Sequence, residues 1–152
     1  MISSIVIVAI FIPIYLQSFN LFSHTLPSVN QEMLEMASFI KSNTPPQASF
    51  QNLFWGANEA EWLPYLAQRN PVISPWGGEW IGTYEAQFAR IAEVSECDQD
   101  LTCLEEKLKA TGGLPDVIIT LTSQPDWSAV LSQSPKWQKV YANSSYIVWE
   151  GK

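Results

Sequence analysis

The sequence predicts an α/β domain: a small three-layer, mostly parallel sheet closed by a C-terminal antiparallel hairpin and preceded by an N-terminal membrane helix. Three observations carry this. Segments with helical spacing alternate with short β-branched runs, of which Asp116 to Leu121 (DVIITL) is the clearest. Two apolar runs flank Ala142-Asn143-Ser144-Ser145, a hairpin signal. Met1 to Gln31 contains no Asp, Glu, Lys or Arg, so every charge of this 152-residue chain lies between positions 32 and 152. The chain divides into residues 1–22 as a transmembrane helix, 23–27 as a linker and 28–152 as one α/β domain.

Ile5 to Leu16 is an unbroken apolar run, and Ile2 to Phe22 is uncharged. At about 1.5 Å per residue that stretch approaches the roughly 30 Å of a bilayer core. A signal peptide would carry a basic flank and a small-residue cleavage site, and neither is evident. A buried or interfacial segment is the third reading. A membrane helix fits best, with Pro13 tolerated as a kink. The missing basic flank suits a helix oriented by others before it, so the chain reads as the C-terminal part of a larger membrane protein.

Ser28, with Gln31 three residues on, has capping-box spacing. Val29, Met33, Met36, Ala37 and Ile40 then recur on one helical face up to Asn43-Thr44-Pro45-Pro46, where consecutive prolines stop the helix. Ala48 to Phe54 reads as a strand, Glu59 to Gln68 as helical turns broken by Pro64, and Pro71 to Ser74 as a short buried strand. Helices follow over Thr83 to Val94 and Leu101 to Ala110, the second ended by Gly112-Gly113. After the strand at Asp116 to Leu121 come a short helix over Asp126 to Ser132 and the hairpin strands Trp137 to Tyr141 and Tyr146 to Glu150.

A formal charge of −7 and eight scattered basic residues exclude a nucleic-acid surface. Seven Trp and 47% hydrophobic residues exclude disorder. Cys97 and Cys103 are the only cysteines. On one continuous helix their side chains would diverge, but a break at Asp98 to Asp100 lets them meet in a disulfide, which implies an oxidising compartment. Two free buried thiols are the alternative. Two Cys and one distant His supply too few soft ligands for a metal, and no cofactor is expected. His24 reads as a linker or interface residue.

Four of the seven Trp fall between Trp55 and Tyr84, around Pro75-Trp76-Gly77-Gly78-Glu79-Trp80. This segment follows a strand, where α/β sheets place ligand crevices. Trp62, Arg69, Trp76, Glu79 and Trp80 are therefore the candidates for contact with a ligand or partner. The competing reading packs these Trp onto the sheet or onto lipid headgroups. If they pin the loop, Trp80→Ala costs about 3 to 5 kcal/mol. Trp80 is expected to be at least partly structural and Glu79 the more exposed. Glu59, Glu61 and Glu79 are the acids from which a glycosidase-like pair would be drawn, but spacing does not fix their separation.

The helix ending at Asn43-Thr44-Pro45-Pro46, the segment Trp62 to Arg69, Pro75 to Trp80, Cys97 with Cys103 and the final hairpin together resemble a known tail. It is the C-terminal extracytoplasmic domain of polytopic bacterial membrane glycosyltransferases of the GT-C superfold, which use lipid-linked sugars. The resemblance covers about residues 5 to 150. It implies a cell-membrane location with the α/β domain on the extracytoplasmic side, and a part in glycan or glycolipid assembly. The implied partners are the membrane, a polytopic membrane protein or a lipid-linked glycan. The family's catalytic acids lie between membrane helices without counterpart in these residues, so no catalytic residue carries over. The Trp-Trp-Asp-Tyr-Gly motif of the related oligosaccharyltransferases is absent. The resulting expectation is a non-catalytic, membrane-anchored domain; the alternatives are a stand-alone hydrolase using Glu79 or Glu61, and a carbohydrate-binding module.

Overall fold

The computed structural model describes residues 29–54 and 58–152. The expected membrane helix over 1–22, the linker with His24, the Ser28 cap and Trp55 lie outside the described residues. Among those described, no helix is long and apolar enough to cross a membrane.

In chain order the elements are α1 (Gln31–Asn43), β1 (Ser49–Asn52), α2 (Asn58–Ala67), β2 (Asn70–Pro71), α3 (Gly78–Ile81) and α4 (Tyr84–Ser95). Then come α5 (Leu101–Thr111), β3 (Val117–Leu121), α6 (Pro125–Gln133), β4 (Trp137–Ala142) and β5 (Tyr146–Gly151). The five-stranded sheet has the order β2-β1-β3-β5-β4. β1 runs parallel to β2 and β3, whereas β5 is antiparallel to both β3 and β4. The sheet is thus mixed rather than mostly parallel. The last strand, not the first of the hairpin, inserts beside β3. The side chains suit this arrangement: β5 buries Tyr146, Val148 and Trp149, while β4 exposes Gln138 and Lys139 at the sheet edge. A lysine on an edge strand also discourages pairing with another chain.

Alternation along the strands divides the core in two. Phe50, Val117, Ile119, Tyr146 and Val148 meet Met33, Met36 and Ile40 of α1 and Leu63 of α2. Ile118 and Trp149 belong to the other face, with Val94 of α4, Leu104 and Leu108 of α5 and Leu131 of α6. Burial on both faces is why β3 reads as a continuous apolar run rather than an alternating one.

Several boundaries move for local reasons. Asn30, not Ser28, caps α1, its side chain accepting from the Met33 amide at 2.8 Å. Helix α2 continues through Pro64; Leu63 and Ala67, both fully buried, hold it against the core despite the hydrogen bond that proline removes. Strand β2 is shorter than the apolar run Pro71 to Ser74. Val72 N–H still donates to the Phe50 carbonyl, but Ile73 N–H donates instead to the buried Gln51 side chain at 2.8 Å. An amide side chain thus takes over from the sheet.

Cys97 and Cys103 form a disulfide with a Cα–Cα distance of 5.5 Å. The chain reverses between α4 and α5 through Asp98 and Gln99, both with positive φ (38° and 72°). Asp100 then caps α5, accepting from the Thr102 and Cys103 amides. Reduction should cost about 2.4 kcal/mol, the chain-entropy value for so short a loop. Urea midpoints with and without reductant will check this; the domain should remain folded in both.

Candidate functional site

The Pro75-Trp76-Gly77-Gly78 segment builds a compact turn. Gly77 (φ 81°) and Gly82 (φ 72°) bracket α3 with left-handed backbone that residues with a Cβ adopt only under strain. Gly78 N–H donates to the Pro75 carbonyl at 2.9 Å, and Thr83 N–H to the Gly78 carbonyl at 2.8 Å. A Cβ on Gly78 would stand 3.0 Å from the Tyr84 backbone nitrogen. The glycines thus serve the turn itself. Its consequence is outward display: Trp80 is 85% exposed and Ile81 76%. Just beyond, Phe88 of α4 is half-exposed and stacks on Tyr84 with ring centroids 5.7 Å apart.

Beside this turn lies a cavity of about 250 Å³ whose walls include Phe50, Pro71, Ile73, Trp76 and Phe88. It opens at the C-terminal ends of the parallel strands β1 and β2, the end at which α/β sheets hold ligands. Asn52 and Ser74 are the polar side chains of its lining, and among the described residues no charged one contributes. Such a wall suits an apolar group.

The five residues singled out in the sequence separate into two places. Trp76 lines the cavity and Trp80 stands at the tip of the adjacent turn. Glu79 lies on α3 between them, with its side chain outside the described part of the structure. Trp62 is half-buried on α2 and packs against the core under α1; among the described residues its indole N–H has no partner. Arg69 is buried and its guanidinium is spent on the protein. It donates to Thr44 Oγ1 and to the carbonyls of Lys41, Thr44 and Gln68 at 2.6 to 2.9 Å. It closes the end of α1 and is not displayed to a ligand. Trp80, in turn, is not the structural residue expected: a side chain 85% exposed contributes little packing.

Glu61 is exposed on α2, and the Glu59 side chain lies outside the description. Among the described residues no group of three or more His, Cys, Asp or Glu is arranged to hold a metal ion. Ile81 and Phe88 carry no mark of this role in the sequence as a whole. Ile81 could have been found from its place between Trp80 and Gly82, whereas Phe88 reads as an ordinary position on the apolar face of α4. The chain matches no protein-family model, no curated protein and no solved structure.

Proposed function

We propose that this chain is a non-catalytic, membrane-anchored extracytoplasmic domain that serves glycan or glycolipid assembly beside membrane helices of a glycosyltransferase-like partner. The anchor is the uncharged stretch Ile2 to Phe22, about one bilayer long. The Cys97–Cys103 disulfide supports an oxidising, extracytoplasmic setting. The observation that carries the reading is the paired display of Trp80 and Ile81 on a glycine-bracketed turn. Trp is favoured at the boundary between headgroups and acyl chains. With a formal charge of −7 the domain has no electrostatic pull toward anionic lipid, so apolar insertion is the available driving force. Burying each of these side chains contributes about 1.5 to 3 kcal/mol.

The experiment uses the full chain. It should sediment with membranes at high salt and need detergent for release; recovery in the soluble fraction would overturn the anchor. Reconstituted in phosphatidylcholine vesicles containing brominated lipid, it should show tryptophan quenching that falls in a Trp80→Ala, Ile81→Ala double variant. The same variant should keep its unfolding free energy within about 0.5 kcal/mol, as exposed substitutions do. Quenching unchanged by the double variant would remove the docking role of the α3 tip while leaving the anchor standing.

A further inference from the structure

A second crevice, of about 270 Å³, lies away from the aromatic turn and differs from the first in chemistry. Its position follows from topology. From β1 the chain passes through α2 to β2 on one side of the sheet, and β3 then pairs on the other side of β1. The connections therefore diverge between the C-terminal ends of β1 and β3, the switch point at which open α/β sheets characteristically bind ligands. Leu53 enters the lining just after β1, Gln124, Asp126 and Trp127 just after β3, and Asp98 and Gln99 from the disulfide-closed reversal.

We infer that this crevice binds a single uncharged sugar ring. Asp98, Gln99, Gln124 and Asp126, all exposed, line the crevice together with the half-buried Trp127, and no hydrogen bond or ion pair among the described residues engages those four side chains. They are left to water, in contrast to Arg69, whose guanidinium makes four hydrogen bonds within the protein. Carboxylates accept from hydroxyls, and two in one lining can serve two hydroxyls of one ring. Carboxamides both donate and accept, so they serve hydroxyl or ring oxygens. The indole offers a flat apolar face to the C–H face of a pyranose. Two carboxylates with no cation among the described lining residues repel phosphates and uronic acids, which narrows the class to neutral sugars. The volume is below the roughly 300 Å³ at which pockets for drug-sized ligands begin, which fits one ring rather than a chain.

The loop that supplies Asp98 and Gln99 is held rather than free. Both residues keep left-handed backbone, which a residue with a Cβ adopts only under strain. The Cys97–Cys103 link on one side and the Asp100 cap on the other over-determine it. Pre-set polar groups lose less freedom on binding, which matters for a weak, one-ring ligand. The inference rests on the proposed glycan role only for its physiological setting. Anchoring and binding are measured separately, so either can fail alone.

The test uses the full chain in a phosphocholine detergent, which carries no sugar headgroup to compete. Methyl glycosides of glucose, galactose, mannose and N-acetylglucosamine are titrated while the Trp127 indole N–H resonance, assigned through Trp127→Phe, is followed by NMR. Methyl glucuronide and calcium chloride are run as counter-probes. At least one neutral glycoside should give a saturable shift with a millimolar Kd, and the glucuronide none. Asp98→Asn with Asp126→Asn should weaken that binding by about tenfold or more while leaving the melting temperature unchanged. No saturable shift with any neutral glycoside overturns the inference. So does binding that survives the double substitution, or a response at Trp127 to calcium alone.

Discussion

Arg69→Ala is expected to destabilise the domain by about 3 to 5 kcal/mol, a large loss for a single surface-type residue. The last turn of a helix leaves carbonyls without intrahelical donors. Here Arg69, reached across the chain from the start of β2, supplies them: one terminal nitrogen donates to the Lys41 carbonyl at 2.7 Å and to the Thr44 carbonyl at 2.6 Å, while Nε donates to Thr44 Oγ1. The positive charge also complements the negative end of the α1 dipole. With only 7% of the residue exposed, water cannot readily replace these bonds in the variant. Arg69→Lys should recover little, because a single ammonium cannot span acceptors that the planar guanidinium meets together. Urea unfolding followed by circular dichroism should show a lowered midpoint with an unchanged slope. A loss below about 1 kcal/mol would mean that the freed carbonyls are hydrated and that Arg69 contributes little.

Trp149→Ala is expected to cost a similar 3 to 5 kcal/mol. Trp149 sits on β5, 3% exposed, in the core beneath α5 and α6. Its indole N–H donates to Thr120 Oγ1 at 3.0 Å, and that hydroxyl is 3.1 Å from Ser128 Oγ, so the group joins β5, β3 and α6. Truncation opens a cavity and also strips a buried hydroxyl of its donor. In thermal unfolding the midpoint should fall by roughly 10 to 20 °C. Trp149→Phe should retain much of the packing and lose mainly the hydrogen bond, about 1 kcal/mol. The contrast with the exposed Trp80, whose removal should cost under about 0.5 kcal/mol, makes the pair a direct test of the fold. Equal losses at the two positions would contradict the packing described.

These two tryptophans mark the limit of what a sequence can say about one residue type. Trp80, in Gly-Gly-Glu-Trp-Ile-Gly, looked at least partly structural; Trp149, in a β-branched run, looked like any strand residue. The turn that displays Trp80 and the sheet and helices that enclose Trp149 distinguish them. Arg69 likewise reads as a ligand contact from sequence, because an Arg after an aromatic segment carries no local sign that its partners lie 25 to 28 residues earlier. The two crevices divide in the same way. The apolar one lies beside the aromatic segment that drew attention, whereas the polar one gathers Leu53, Asp98 and Asp126 from three separated stretches.

By itself the sequence determined the elements whose cause is local. The apolar spacing of Met33, Met36, Ala37 and Ile40 specifies the buried face of α1, and Pro45-Pro46 its end. The run after Asp116 specifies a strand buried on both sides, Asn143 and Ser144 a hairpin, and the break at Asp98 to Asp100 a reversal able to close the disulfide. Each follows from a periodicity or backbone preference carried within a few residues. The tertiary structure alone decided that β5 rather than β4 lies against β3, that β2 yields to a Gln51 side chain after Pro71, and that Arg69 satisfies the terminal carbonyls of α1. Those outcomes depend on which surfaces meet across long stretches of chain. A strand's propensity is the same at the centre of a sheet or at its edge; the depth of burial offered by its neighbours makes the choice.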